Sequence, residues 1–193
     1  VEGGGIMIEE SSPIIKHNWI IGNEATRRPA GITSAGGGGI RCGFGAPRIL
    51  NNIIMNNEGR YGGGVVVNYA SATLHNNIII QNFGGEDYAG GGLWLYGNPS
   101  DISVGDNNVI CGNLSVLSGG GIWCQQAYLV GRNFIVWGNR ANSGAQQISG
   151  ATSLQAAGTL KAGLPAIVSP DISSGSITLP ANIGTQTFPQ KFN

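Results

Sequence analysis

The sequence predicts an all-β fold: a right-handed, single-stranded parallel β-helix (solenoid) of about five coils, followed by an irregular C-terminal segment. Three observations predict it. Glycine triplets recur before aliphatic residues, asparagines recur at nearly constant distances after the triplets, and the apolar runs between them are short and alternate with period two. Such runs, rich in Ile and Val, are typical of strands. Units of roughly 25 residues cannot bury a core alone and must stack, and crossover chirality favours a right-handed coil.

The glycine triplets mark the start of each repeat unit. Successive units are 34, 25, 28 and 29 residues long. Glycine reaches positive φ and lets two backbones approach closely, so we expect each triplet to form the same corner of its coil. The triplets end at Gly5, Gly39, Gly64, Gly92 and Gly121.

Two sets of asparagines follow the triplets. Equivalent positions of successive coils stack about 4.8 Å apart, so amide side chains there can hydrogen-bond to one another along the stack. We therefore predict two structural ladders. The first contains Asn18, Asn52, Asn77, Asn108 and Asn133. The second contains Asn23, Asn56, Asn82, Asn113 and Asn139.

The chain divides into two parts by composition. Residues 1–144 carry the β-helix repeats, whereas the triplets and paired asparagines are missing from residues 145–193. We predict a cap over the last coil or a linker for that second part, with a short strand or helix around 151–162. Solenoid ends expose strand edges that normally need a cap. The first coil shows none, which predicts a longer solenoid or shielding by a neighbouring copy.

The pattern of GGGI followed by aliphatic-x-x-Asn resembles the GGA[ILV] and FxxN repeats of polymorphic outer-membrane and related surface-protein passengers. It is more loosely similar to the right-handed β-helix superfamily that includes pectate lyases and phage tailspikes. The resemblance covers about residues 3–144, with Ile or Val where those repeats carry Phe. It implies a secreted or surface-displayed protein that acts in adhesion or as an extended stalk.

Composition argues against several classes of function. Lys plus Arg and Asp plus Glu each number 10, so the net charge is zero and no basic footprint for nucleic acid is present. No apolar run is long enough to span a membrane. Low charge with abundant Gly, Asn, Ser and Thr favours an extracellular or cell-surface location.

No catalytic, metal or cofactor site is predicted. The acidic residues do not recur at equivalent coil positions; Asp101 and Asp106, in one coil, are the least poor candidates for a glycosidase pair, which needs two carboxyls about 5–10 Å apart. His17 and His75 are two coils apart, and a metal site would need more ligands nearby. We therefore expect no cofactor and solvated turn residues at these positions.

The outward residues of the first strand in each coil, directly after the glycine triplet, form a candidate interaction surface. If the aliphatic residue after each triplet points inward, its successor points outward. Three interpretations remain open: the row is covered by a loop or the C-terminal segment, it is a protein interface that includes self-association, or it is a platform for stacking sugars. The row consists of Met7, Arg41, Val66, Trp94 and Trp123.

The cysteines are expected to stay free. The alternation places Cys42 and Cys124 in one internal column three coils apart, roughly 14 Å by the strand spacing, which is too far for a disulfide.

The sequence thus predicts a non-catalytic extracellular module, structural or adhesive, that is part of a larger surface protein or a fibre subunit that associates with copies of itself. The alternative is a carbohydrate-binding or polysaccharide-processing β-helix protein of the lyase or hydrolase type. Expected partners are copies of the chain or surface glycans.

Overall fold

The computed structural model describes residues 2–26, 36–85, 88–149 and 167–168, and these residues form strands, turns and loops without any helix. The predicted fold class is confirmed, because parallel strands stack coil upon coil into a β-solenoid. Residues 145–149 and 167–168 of the predicted C-terminal part are described. The strand or helix expected around 151–162 lies outside the described residues.

Each of the first five coils contributes four short strands. The first coil contains β1 (Ile6–Glu9), β2 (Ile14–Lys16), β3 (Trp19–Ile21) and β4 (Glu24–Ala25). The second contains β5 (Ile40–Gly43), β6 (Arg48–Leu50), β7 (Ile53–Met55) and β8 (Glu58–Gly59). The third contains β9 (Val65–Asn68), β10 (Thr73–His75), β11 (Ile78–Ile80) and β12 (Phe83–Gly84).

The fourth coil contains β13 (Leu93–Tyr96), β14 (Ile102–Asp106), β15 (Val109–Cys111) and β16 (Leu114–Ser115). The fifth contains β17 (Ile122–Gln125), β18 (Tyr128–Arg132), β19 (Ile135–Trp137) and β20 (Arg140–Ala141). Two further strands, β21 (Ile148–Ser149) and β22 (Ile167–Val168), add a partial sixth level.

Equivalent strands of successive coils form four parallel sheets. Sheet A stacks β1, β5, β9, β13, β17 and β21, and sheet B stacks β2, β6, β10, β14 and β18. Sheet C stacks β3, β7, β11, β15, β19 and β22, and sheet D stacks β4, β8, β12, β16 and β20. Since each strand pairs with its equivalent one coil away, residues with the same role lie in columns along the solenoid axis.

The core consists of inward columns of aliphatic side chains. In the five three-residue strands of sheet C the central residue is buried, and burial of each such side chain contributes about 1.5–3 kcal/mol. This column contains Ile20, Ile54, Ile79, Ile110 and Val136.

The two buried cysteines lie in one inward column of sheet A, as the alternation predicts. Cys42 and Cys124 are fully buried free thiols, separated by Val67 and Leu95. Burial raises the pKa of each thiol from 9.0 to about 12, and the Arg41 charge only partly opposes this at Cys42. Both therefore behave as small apolar residues.

Two asparagine ladders flank sheet C. In the first, the side-chain oxygen of Asn52 accepts hydrogen bonds from the backbone N–H (3.0 Å) and the amide (3.1 Å) of Asn18. Asn52 donates to Asn77 in the same way, and Asn77 donates to Asn108. The second ladder runs from Asn23 through Asn57, Asn82 and Asn113 to Asn139, with distances of 2.9–3.0 Å.

Two predicted positions, Asn56 and Asn133, lie outside these two ladders, and Asn133 donates instead to the exposed Asn107 of the preceding coil at 2.9 Å. Both are exposed, with φ of 53° and 56°, and occupy the corner just outside the ladder, where the backbone is left-handed. Asn57 and Phe134 take the inward positions. Ladder residues stand two positions before and three positions after the buried aliphatic residue of each sheet C strand. In the second coil this aliphatic residue is Ile54, not Ile53.

The two ladders end differently at the fifth coil. Phe134 is buried and offers no amide, so the first ladder stops at Asn108, whose amide donates to the Leu74 carbonyl. The second ladder ends on Gln147, whose side-chain oxygen accepts from the Asn139 amide at 2.9 Å and whose amide donates to the Asn139 carbonyl at 3.0 Å. No polar group of this ladder end is left without a partner.

The glycine triplets form the predicted corner for two separate reasons. The first glycine has positive φ, as at Gly62 (54°). The third lies against the second ladder: a Cβ on Gly64 would lie 2.5 Å from the Gly92 carbonyl oxygen and 3.0 Å from the Asn82 amide nitrogen. The triplet and the asparagine therefore recur together because they touch.

Candidate interaction surface

The predicted outward row of sheet A is covered over its centre. Met7, Arg41, Val66, Trp94 and Trp123 do lie in register across sheet A. Val66 is 0% exposed and Trp94 only 5%, while Met7, at the end of the row, is 49% exposed. The row is thus not an exposed stripe, and of the three interpretations the structure shows coverage by loops.

Tyrosines from the loops that connect sheet D to sheet A provide the cover. The buried Tyr61 ring packs on Trp94 with centroids 4.9 Å apart, and Tyr88 meets Tyr61 edge-on at 5.4 Å. Trp94 and Trp123 stack at 5.1 Å with an interplanar angle of 10°. Among the described residues Trp94 Nε1 has no hydrogen-bond partner, so this ring contributes through packing. A second, smaller core results outside the solenoid wall.

Arg41 is the charged member of this row, and acidic side chains hold it. Its Nε atom lies 2.7 Å from a Glu2 carboxylate oxygen, and its Nη1 atom lies 3.2 Å from Glu9. Arg41 as a whole residue is 7% exposed. Because it is paired and largely buried, Arg41 does not present a binding group to solvent.

The weak catalytic candidates have structural partners. The Asp101 carboxylate accepts from the backbone N–H of Asn98 at 2.6 Å and so closes a tight turn. His75 Nδ1 accepts from the backbone N–H of Asp106 at 3.0 Å. His17 is exposed at a left-handed corner. Within the described residues no group of three or more His, Cys, Asp or Glu side chains could hold a metal ion.

A shallow open depression lies at the corner between sheets A and B. Gly97, Asn98, Pro99, Gln126 and Tyr128 line it. Beside it, Tyr69 meets Tyr96 edge-on at 5.4 Å. The hydrogen bond with Tyr96 raises the pKa of Tyr69, and burial, the Tyr96 hydroxyl and the nearby Asp101 carboxylate add to the effect. Aromatic and amide groups thus meet solvent together there.

A larger candidate surface is the outer face of sheet C, which the outward-row argument missed. The sheet C strands β3, β7, β11, β15 and β19 have three residues each, with the sequences WII, IIM, III, VIC and IVW. The central residue points inward and the other two point outward. All ten outward side chains are apolar or Cys. One row contains Trp19, Ile53, Ile78, Val109 and Ile135, and the other contains Ile21, Met55, Ile80, Cys111 and Trp137.

These ten residues, here called the C face, remain accessible to solvent. Trp19 is 75% exposed, Ile78 is 38% and Trp137 is 40% exposed, and all the others are at least partly exposed. Parallel sheets are normally covered on both sides, so such a surface is unusual. The sequence contains the signal, because in three consecutive apolar residues of a strand the first and third must both present apolar side chains to solvent.

The two ladders run along the two edges of the C face. Every strand of sheet C from β3 to β15 is bounded by a ladder asparagine on each side, and β19 lies between Phe134 and Asn139. Charges of both signs stand along the neighbouring strands: Lys16 in β2 on one side, and Glu24, Glu58 and Arg140 in sheet D on the other. The result is an apolar surface with a mixed polar rim.

No family model, curated protein or solved structure matches this chain. The resemblance to surface-protein passenger repeats therefore stays an expectation from the motifs, and what the chain does must be argued from its surfaces. The described residues contain no helix that is long and apolar enough to cross a membrane.

Proposed function

We propose that this protein is a non-catalytic structural and adhesive module that acts outside the cell or at its surface. The C face carries the proposal, because an exposed apolar plane of this extent marks an interaction site. The ladders support it, since they give the solenoid a rigid wall on which such a plane keeps its shape. The low charge and the Gly- and Asn-rich composition support the extracellular location.

Adhesion and the absence of turnover can be measured together. Beads coated with the full chain are mixed with bare beads, beads coated with the same chain, and beads coated with xylan, pectin, chitin or β-glucan. We expect retention on at least one coated surface and no release of reducing ends or unsaturated sugars from the polysaccharides. Release of either product, or no retention anywhere, would contradict the proposed function.

Carbohydrate binding is the second candidate, and the depression at the corner of sheets A and B favours it. An aromatic ring beside amide groups suits a sugar, which offers an apolar face and hydroxyls. Electrophoresis through gels containing each soluble polysaccharide tests this. Retardation that Tyr128→Ala abolishes, and that Tyr88→Ala outside the depression leaves unchanged, would support the site. Equal mobility with and without every polysaccharide would exclude it for those polymers.

A further inference from the structure

We propose that the C face binds the C face of a second copy of this chain, so that two solenoids associate side by side through sheet C. This rests on the proposed function and names the partner of the same surface. Three properties of the C face support this partner: its size, its shape and the charges of its rim.

The size of the C face is that of a protein interface. Five of its ten side chains are 38–75% exposed and the other five are partly exposed, so each copy offers several hundred Å² of apolar surface, the same order as the roughly 800 Å² that each partner contributes to a standard interface. Two tryptophans stand at opposite ends, Trp19 in the first coil and Trp137 in the fifth. Aromatic anchors of this kind are enriched in interfaces.

The shape of the C face suits another flat sheet. Two sheets pack face to face about 10 Å apart when their outward side chains interdigitate. The C face presents two rows of apolar side chains in register, and none of its ten residues is charged. A second copy offers the same two rows at the same spacing, because the strand separation sets that spacing in both.

The charges around the C face favour a copy over a strongly charged partner. The rim positions carry three basic residues and three acidic ones, namely Lys16, Arg132 and Arg140, and Asp106, Glu24 and Glu58. When the two solenoids run parallel about a two-fold axis, the Lys16 position of one copy stands over the Glu24 side of the other in the first coil, whereas the Arg132 and Arg140 positions share one side in the fifth. The whole chain has zero net charge, so no long-range repulsion opposes association.

Light scattering coupled to size exclusion tests the proposal on the full chain. Over micromolar to millimolar concentrations we expect the mass to rise from 19.9 kDa towards twice that value. Ile78→Lys, at the middle of the C face, keeps the mass at 19.9 kDa. The matched control is Val104→Lys on sheet B, since Val104 is 40% exposed and Ile78 is 38% exposed. Its association should equal that of the wild type, and circular dichroism confirms that both variants are folded.

Cys111 gives a second readout inside the C face. It is partly exposed, whereas Cys42 and Cys124 are fully buried, so alkylation of the folded chain reports on Cys111. By mass action the rate falls about tenfold once nine-tenths of the copies are paired. We expect this slowing with concentration in the wild type and in Val104→Lys, and a constant rate in Ile78→Lys.

Three results would overturn the proposal. A monomer whose Cys111 reacts quickly at every concentration shows an uncovered face with no affinity for itself. A monomer whose Cys111 is protected at every concentration points to cover by the chain's own residues 169–193. Dimers that Ile78→Lys leaves intact place the contact elsewhere. In each case the bead assay still decides the proposed function, because retention on polysaccharide beads without turnover does not depend on self-association.

Discussion

The side-chain nitrogen of Asn57 lies 3.0 Å from the side-chain oxygen of Asn82, one coil further along the solenoid. Its neighbour Asn56 points outward at a left-handed corner with φ of 53°. Two identical residues that are adjacent in the chain therefore have opposite roles, and a single substitution made at each position separates them.

Asn57→Gly should lower the free energy of unfolding by about 2–4 kcal/mol, because it removes four hydrogen bonds and leaves buried partners unsatisfied. Asn56→Gly should change it by less than about 0.5 kcal/mol, since glycine adopts positive φ freely. Urea unfolding of both variants measures the difference. Equal losses would show that the ladder assignment in the second coil is incorrect.

Gly64→Ala should destabilise the chain by more than about 2 kcal/mol. The new methyl would crowd the Gly92 carbonyl and the Asn82 amide, neither of which can retreat from a stacked coil. Gly138→Asn is the control, because a Cβ there meets no atom within 4 Å and asparagine already occupies the equivalent corner at Asn56. Thermal unfolding should show a large fall in Tm for the first variant and almost none for the second. A tolerated Gly64→Ala would contradict the close contact between triplet and ladder.

Trp94→Ala should cost about 3–5 kcal/mol of folding stability, as expected for a buried aromatic side chain. Its ring supports Tyr61 and Trp123, which lose their stacking partner. Met7→Ala, in the same row but 49% exposed, should cost less than about 1 kcal/mol. Chemical denaturation compares them. A Trp94→Ala variant with wild-type stability would mean that the row is an exposed platform after all.

Alkaline pH should destabilise the fold through the two buried thiols. Their pKa is raised from 9.0 to about 12 in the folded chain, so above pH 9 the unfolded chain releases protons that the folded chain keeps. The contribution of the thiols to the free energy of unfolding is therefore fully present below pH 9. It is lost between pH 9 and pH 12, by at most about 1.4 kcal/mol per pH unit for each thiol.

The variant that carries both Cys42→Ala and Cys124→Ala isolates this contribution. Urea unfolding at a series of pH values between 8 and 11 should give a flatter alkaline decline for this variant than for the wild type, although its stability at pH 8 is lower. Parallel declines in the two proteins would assign the alkaline loss to other groups.

The architecture follows from the sequence because its signals are local and repeated. A glycine triplet, a short Ile- and Val-rich run and an asparagine recur in one order, and only stacked coils satisfy all three. The same reasoning places Cys42 and Cys124 in one buried column, since alternation along a strand decides which face a residue takes.

The exact membership of the ladders depends on pairing between coils. In the run NNIIMNN the asparagines and isoleucines are doubled, so the sequence offers two alignments that differ by one residue. The pairing of Ile54 with Ile20 and Ile79 selects one of them and moves Asn57 inward. In the fifth coil the same register places Phe134 inward and ends the ladder.

The surfaces were decided by tertiary structure as well. Alternation shows that Val66 and Trp94 point out of the solenoid, but the loop residue Tyr61 lies over them and makes them a second core. The outward residues of sheet C receive no such cover from the described residues around them. The sequence by itself determined the coil, its period and its inward columns, because these depend on neighbours along one strand. Which outer face stays open depends on where long loops fold back, and only the tertiary structure decides that.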